Sequence, residues 1–273
     1  KKNLKFVLYF LVCTFFLIII FWPYLWANPF NNLLFAISEL TSTATDLTIL
    51  YLGKFMQSPN VPSHYHLVWI AITSPLIVIF LFLFGTSFLL RRIFIRLTKL
   101  NDDLNDLWRG DNEMFDIYFF MMILSSILLF IYKGLGYNGW RHLYFIYPSI
   151  IMISLYGFYY IDCIIKSKLS RTAIYSLILL NLVYLAYWNY KSHPHQYVYF
   201  NLIFKNNFHQ NFDMDYMGLS NKSAIEYIIN NNISYPIKIG TKSFSSLENS
   251  SLILSEKDKK KIFITRKLKE ADF

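Results

Sequence analysis

The stretch Leu67–Leu90, LVWIAITSPLIVIFLFLFGTSFLL, carries no charged side chain and is followed at once by Arg91 and Arg92. A helix of roughly 20 apolar residues crosses the hydrocarbon core of a bilayer, and this run is long enough. Pro75 interrupts it, and we expect a kink rather than an end, because neighbouring helices in a membrane can satisfy the freed carbonyl. The stretch therefore predicts a transmembrane helix.

The composition of the whole chain agrees with this prediction. Of its 273 residues, 55% are hydrophobic and only 16% are charged, which is too apolar for an ordinary soluble domain. Four further apolar runs approach the spanning length: Leu4–Trp26, Phe115–Tyr132, Leu143–Ile165 and Thr172–Trp188. We predict a mainly α-helical, polytopic membrane protein with about five transmembrane helices.

Lysine and arginine between these runs predict the orientation of the chain. Loops on the cytoplasmic side of a membrane are enriched in both residues. Three segments are rich in them and can all be cytoplasmic: Lys1–Lys5, Arg91–Arg109 and Lys166–Arg171. The amino end is then inside and the carboxyl end outside, with residues 1–190 forming the membrane region and residues 27–66 and 133–142 forming outer loops.

The segments outside the spans have patterns of their own. In residues 28–40 the apolar side chains lie at helical spacing, which predicts a short helix in the membrane interface. Residues 191–273 contain no spanning run and predict a small extracytoplasmic α/β domain: a helix from Ser220 to Asn230 with Ser220 as N-cap, and strands at Tyr235–Gly240 and Lys261–Thr265. The chain starts at Lys1 and stops at Phe273, and we expect a longer protein to continue at both ends.

The stretch GLGYNGWRHLYFIYP, residues 134–148, places Arg141 and His142 at the outer start of the fourth span. An arginine at the amino end of a helix suits a phosphate, because its guanidinium can donate two parallel hydrogen bonds to phosphate oxygens. The three glycines of the stretch would permit a close backbone approach. The alternative is an arginine that only anchors the helix among lipid headgroups.

The six histidines all fall in segments predicted to be outside. This can reflect a functional surface, or simply the greater polarity of long outer loops. His193 and His195 alternate as a strand would, yet two ligands without a third do not define a metal site, so no cofactor or divalent metal is indicated. The net charge of +9 fits contact with anionic membrane lipids, and no motif indicates nucleic acid.

Four phrases together resemble a known family. They are YLGKFMQSPNVPSHYHLVWIAITSPL (51–76), GYNGWRHLYFIYPSI (136–150), HPHQYVYFN (193–201) and DMDYMGLSNKSAIEYI (213–228). In this order they are similar to the carboxyl-terminal half of bacterial family 39-like glycosyltransferases. These GT-C membrane enzymes are related to dolichyl-phosphate-mannose protein mannosyltransferases and to the aminoarabinose transferases of lipid A.

The resemblance implies transfer of a sugar from a polyprenyl-phosphate donor to a protein, glycan or lipid acceptor, at the outer face of a bacterial inner membrane. The general base of such enzymes is an acidic residue of a first outer loop, which this chain lacks, so no catalytic residue is assigned and the chain alone is expected to be inactive. Donor phosphate binding is assigned to Arg141 and His142. The rest of the donor pocket is assigned to Tyr137, Asn138 and Trp140, and a pocket lid to His193, His195, Tyr197 and Asn201.

The sequence is also compatible with other interpretations. The alternation of Tyr197 and Tyr199 equally suits side chains that only pack. A transporter or flippase subunit for a lipid-linked or anionic substrate would also explain the spans and the outward arginine, although it predicts charged groups deep in several spans. A non-catalytic membrane scaffold is the third possibility, and it predicts no clustering of functional residues on one side.

Overall fold

The structure is a computed structural model that describes residues 2–42, 47–98, 108–133, 136–203, 207–232, 234–241, 246–265 and 267–273. Contacts divide the chain into two compact units, Lys1–Asp46 and Leu47–Phe273. The predicted boundary between residues 190 and 191 falls inside the second unit, so the tail and the last four predicted spans belong to one body.

The first unit contains helix α1 (Lys2–Phe21), a 3-10 turn (Pro23–Leu25) and helix α2 (Pro29–Ser42). The first predicted span reaches Trp26, but α1 ends earlier because Pro23 follows it. The indole of Trp26 folds back and donates to the carbonyl of Ile19 at 2.9 Å. Among the residues of α1 whose side chains are described, the apolar stretch is Leu8–Phe21. The predicted helix after this span is confirmed as α2.

The second unit starts with a hairpin of β1 (Thr48–Tyr51) and β2 (Lys54–Gln57), paired antiparallel. Helix α3 (Tyr65–Thr73) and helix α4 (Leu76–Thr98) follow. The single kinked span predicted for Leu67–Leu90 is therefore wrong. Ser74 is extended and Pro75 separates the two helices, because proline disfavours helical geometry in the residue before it.

Four helical segments among the described residues are long and apolar enough to cross a membrane. They comprise α4, α5 (Asp111–Lys133), α6 (Tyr147–Ile164) with the 3-10 turn before it (Arg141–Ile146), and α7 (Lys168–Lys191). This composition indicates a membrane protein. In α7 no residue is fully buried within the described part of the chain, so most of its surface is available to lipid or to further protein.

Arginines that were predicted to lie in a cytoplasmic loop, Arg91, Arg92 and Arg96, lie inside α4 instead. The helix continues through two of them because α5 neutralises their charge. Arg92 pairs with Asp116 at 3.3 Å, and Arg96 donates to Glu113 at 3.0 Å. An ion pair lowers the cost of keeping each charge near the membrane.

Helices α4 and α6 pack through their backbones at two glycines. A Cβ atom on Gly85 would lie 2.2 Å from the carbonyl oxygen of Ile153, and one on Gly157 would lie 2.3 Å from that of Leu81. Small residues allow such close approach between membrane helices, where association depends on packing rather than on the hydrophobic effect. The contact fixes α6 against α4 and thereby positions the turn that precedes α6.

The carboxyl-terminal segment is a small α/β arrangement, as predicted. Helices α8 (Phe208–Asn211) and α9 (Ser220–Asn231) precede β3 (Ile237–Ile239); α10 (Leu247–Leu252), α11 (Glu256–Lys259) and β4 (Ile262–Ile264) follow. Strands β3 and β4 pair in parallel, and isoleucines of α9 and β3 form their shared core. Ser220 was predicted to be the N-cap of this helix, but it is the first residue of α9.

Candidate functional site

A cavity of about 250 Å³ lies at the end of the helices where α5 ends and α6 begins. Aromatic rings from distant parts of the chain form most of its wall. They belong to α3, to the turn before α6, to α6 itself and to two segments of the tail: Trp69, Trp140, Tyr144, Tyr147, Tyr197, Tyr199 and Tyr216. Arg141 is the charged residue of this wall.

Helix α3 holds the turn that carries Arg141. The hydroxyl of Tyr65 accepts a hydrogen bond from the backbone N–H of Gly139 at 3.2 Å, and the hydroxyl of Thr73 accepts one from the indole of Trp140 at 2.8 Å. Gly139 has φ of +69° and lies against Trp69, a conformation that glycine adopts without strain. The turn is thus fixed to α3 at Gly139 and at Trp140.

Arg141 has no carboxylate partner among the described residues, whereas Arg92, Arg96 and Arg171 each have one. Its Nε donates to Nε2 of His142 at 3.3 Å, and its guanidinium lies 5.4 Å from the ring centre of Tyr137. One Nη atom is 3.8 Å from the sulfur of Met217, a weak acceptor. The positive charge of Arg141 is therefore held in place but not neutralised.

The predicted pocket residues occupy different positions around Arg141. Trp140 and Tyr197 line the cavity with Arg141. Tyr137 and His142 contact each other, with ring centres 4.9 Å apart, and support Arg141 from outside the cavity wall. Asn138 has φ of +54° and shapes the turn.

The predicted lid is only partly present. His193 and His195 do not line the cavity; Nδ1 of His193 instead lies 2.8 Å from the amide of Gln196, which does. Asn201 is buried, and its amide donates to the carbonyls of Ala71 and Ser74 at 2.6 and 3.0 Å. Asn201 therefore satisfies the free carbonyls at the end of α3 and has a packing role.

The glycines expected to let a ligand approach the backbone have other neighbours. A Cβ atom on Gly136 would lie 2.3 Å from a methyl group of Val61, so Gly136 makes room for that side chain. Gly134 lies outside the described residues. The α-helix proper begins at Tyr147 rather than at Arg141, because residues 141–146 form a 3-10 helix. Arg141 therefore lies about two 3-10 turns before the first residue of α6.

Sequence reasoning missed several residues of the cavity wall, namely Trp69, Thr73, Tyr144, Tyr147, Met214 and Tyr216. Trp69 and Thr73 are four residues apart and share one face of a helix, but that signal appears only once α3 is known to be separate from α4. Tyr199 lines the cavity and also packs against Trp188, with ring centres 4.9 Å apart. It therefore both borders the pocket and has a packing contact.

Asp215 organises the segment that closes the cavity. Its carboxylate accepts hydrogen bonds from the hydroxyls of Tyr197 and Ser220 and from the backbone N–H groups of Leu219 and Ser220. Burial would raise the pKa of Asp215, but these bonds hold that pKa below its usual value. Because its oxygens are already occupied by donors, Asp215 is not available as a general base.

The phenols of the cavity remain protonated near neutral pH. Burial raises the pKa of Tyr216, although the nearby Arg141 opposes the shift. Burial and the carboxylate of Asp215 raise the pKa of Tyr197. Both hydroxyls are consequently neutral: that of Tyr216 can donate to an anion or to a sugar hydroxyl, whereas that of Tyr197 already donates to Asp215 and can only accept.

A second polar cluster lies at the opposite end of the same helices. Arg92 donates to the hydroxyl of Tyr156 at 3.1 Å in addition to its pairing with Asp116, and these groups border a groove of about 650 Å³ between α5 and α6. Here Arg92 and Arg96 each have an acidic partner. The cluster fastens α4, α5 and α6 together.

Within the described part of the chain, no three histidine, cysteine, aspartate or glutamate side chains are grouped to hold a metal ion. Comparison of the whole chain with protein-family models, with curated proteins and with solved structures finds no match.

Proposed function

We propose that this chain is the donor-binding part of an integral-membrane glycosyltransferase, which transfers a sugar from a polyprenyl-phosphate donor to a protein, glycan or lipid acceptor. The observation that carries the proposal is Arg141, a cation without a carboxylate partner among the described residues, at the wall of an aromatic cavity. The cavity lies at the end of helices with the length and composition of membrane spans.

The position of Arg141 suits the phosphate of a lipid-linked donor. A donor of this kind has its polyprenyl chain in the bilayer and its phosphate at the surface, which is the depth expected at the end of a spanning helix. Arg141 can offer two parallel N–H groups to phosphate oxygens. As the bond between sugar and phosphate breaks, charge grows on the phosphate, and a fixed guanidinium stabilises that charge.

The remaining wall suits the sugar. At about 250 Å³ the cavity is slightly smaller than the roughly 300 Å³ at which pockets for drug-sized ligands begin, so it matches a single small polar group. Tyr216 presents a neutral hydroxyl that can donate to such a group, and the hydroxyl of Tyr197, which donates to Asp215, can accept from it. Aromatic faces from Trp69 and Trp140 exclude water from it.

The proton of the acceptor hydroxyl requires a base that the cavity does not supply. Among the described residues no acidic side chain lines the cavity. Asp213 and Asp215 flank Met214 of its wall: Asp213 accepts a hydrogen bond from the backbone N–H of Leu50, and the oxygens of Asp215 are already hydrogen-bonded. The proposal therefore places the catalytic carboxylate in a part of the enzyme outside this chain, as the family resemblance implies. We further propose that the site lies on the extracytoplasmic face of a bacterial inner membrane.

The test is a transfer assay on the full-length enzyme with a polyprenyl-phosphate sugar. We expect Arg141→Ala to lower kcat/KM about 100-fold, because it removes a donor that acts on the leaving phosphate, and Arg141→Lys to retain part of the activity. Arg171→Ala is the matched control, since Arg171 pairs with Asp162 at the other end of the helices. Unchanged transfer by Arg141→Ala would refute the proposal.

A further inference from the structure

A groove of about 680 Å³ lies between α9 and α10, next to the cavity. The two share a wall, the residues 214–217, which we call the partition segment. Tyr216 borders both spaces, Met214 borders only the cavity, and Met217 borders only the groove. The sulfur of Met217 is 3.8 Å from the guanidinium of Arg141, so the groove begins one side chain away from the candidate phosphate site.

The described lining of the groove is mainly apolar, with a few polar side chains and no net charge. Its charged pair, Lys222 and Glu226, lies 3.6 Å apart and neutralises itself. Its other polar side chains are hydroxyls and an amide: Ser223, Ser246, Asn249 and Ser250. A sugar ring presents both apolar C–H faces and uncharged hydroxyls, and this lining offers apolar contacts and uncharged hydrogen-bonding groups to match them.

The amino end of α9, which borders the groove, is not an anion site. Its first N–H groups, those of Leu219 and Ser220, already donate to the carboxylate of Asp215 at 3.1 and 2.8 Å. A second anion there would meet the negative charge of Asp215, whose pKa is held below its usual value. The phosphate chemistry is therefore confined to the Arg141 side of the partition segment.

We propose that this groove binds a neutral glycan chain as the acceptor, with its terminal sugar reaching past Tyr216 to the cavity. This inference rests on the proposed function. In the transfer, the acceptor hydroxyl oxygen forms a bond to the anomeric carbon, and the bond from that carbon to the donor phosphate oxygen breaks. The electron pair leaves with the phosphate, and the hydroxyl proton goes to a carboxylate base outside this chain.

The elements that line the groove favour a glycan over a peptide bound as an added strand. Peptides are often bound by adding a strand to a sheet edge, but the residues that line this groove belong to two helices and to loops. Ser223 and Asn249 have no side-chain hydrogen bond within the described residues, which leaves a hydroxyl and a carboxamide to bind the hydroxyls of sugar rings.

The test measures binding of uncharged oligosaccharides, namely maltopentaose, cellopentaose and chitopentaose, to the purified full-length protein by titration calorimetry. We expect at least one to bind. Asn249→Ala should weaken that binding about tenfold, because a carboxamide that makes one or two hydrogen bonds is lost. Ser223→Trp should abolish binding by filling the groove, and Asn230→Trp, on the same helix but outside the groove, should not change it.

The proposal is overturned if no oligosaccharide binds, if Ser223→Trp leaves binding intact, or if a serine-rich peptide binds in place of the sugars. A separate titration with polyprenyl phosphate distinguishes this inference from the proposed function. If the phosphate probe fails to bind while Ser223→Trp still abolishes oligosaccharide binding, the groove is a glycan site and the donor proposal is wrong. If polyprenyl phosphate binds and no oligosaccharide does, the donor proposal stands and the groove is not a glycan site.

Discussion

Asn201 shows how one side chain joins two remote segments. Its amide reaches the carbonyls of Ala71 and Ser74, and its backbone N–H donates to Ile72 at 2.9 Å, so it occupies three carbonyls at the end of α3. The sequence HPHQYVYFN gives no sign of this contact, because the partner carbonyls lie about 130 residues away. Propensity and spacing report on neighbours along the chain, and such a contact depends on the completed fold.

The first residue-scale prediction concerns this contact. Asn201→Asp replaces an N–H donor by an acceptor that faces two carbonyls, and we expect a loss of about 1–3 kcal/mol in the free energy of unfolding. Thermal unfolding of the detergent-solubilised protein measures it, with Asn230→Asp on the exposed face of α9 as control. Equal melting temperatures for the two variants would show that the Asn201 contact contributes nothing.

The second residue-scale prediction uses the lowered pKa of Asp215. A carboxyl group with a folded pKa below the unfolded value stabilises the fold above the unfolded pKa, about 3.9, and this contribution is lost as the pH falls through the folded pKa. We expect Asp215→Asn to lower the melting temperature at pH 7, and the difference from wild type to shrink below about pH 4. A difference that stays constant down to pH 3 contradicts the assignment.

At the scale of elements, the sequence predicts most helices and fails where two signals compete. The apolar run Leu67–Leu90 satisfies the length rule for one span, yet Pro75 divides it and α4 continues to Thr98. The arginines that were expected to end the helix are accommodated because Glu113 and Asp116 meet them from α5. Hydropathy alone cannot anticipate that a charge will find a partner on another helix.

The element-scale prediction concerns the contact between α4 and α6. Gly85→Val places side-chain atoms where the backbone of α6 lies, with a Cβ only 2.2 Å from the Ile153 carbonyl oxygen. We expect a loss of about 3 kcal/mol or more, since this exceeds ordinary overpacking. Ser87→Val, a similar change on the exposed face of the same helix, should leave the melting temperature within a few degrees. A stable Gly85→Val variant would mean that the two helices can separate without cost.

At the scale of the whole molecule, the cavity draws its wall from four separate parts of the chain. Sequence reasoning identified Trp140, Arg141 and Tyr197 because they sit in polar or aromatic phrases at the ends of apolar runs. It missed Trp69, Thr73 and Tyr216, which join them only when α3 and the partition segment fold against the turn before α6. Arg141 could be found because it stands out chemically from an apolar run, whereas one tyrosine among twenty-one could not.

The whole-molecule prediction concerns orientation. Helix α7 has 24 residues, which is roughly 36 Å at 1.5 Å per residue and enough to cross the bilayer. After Cys13 and Cys163 are replaced by serine, we expect Ser192→Cys to react with a membrane-impermeant maleimide in intact cells. Lys166→Cys, before the other end of α7, should react only after permeabilisation. The opposite pattern would place the candidate site in the cytoplasm and contradict the account.

The measurement that tests the central claim most directly compares a short polyprenyl phosphate with the same polyprenol lacking phosphate, titrated into wild-type protein and into Arg141→Ala. If Arg141 holds the donor phosphate, wild type prefers the phosphate form. In that case Arg141→Ala loses at least tenfold in affinity for the phosphate form, as expected for a charge-assisted pair, and binds the polyprenol as before. Equal affinity of wild type and Arg141→Ala for polyprenyl phosphate would contradict the account.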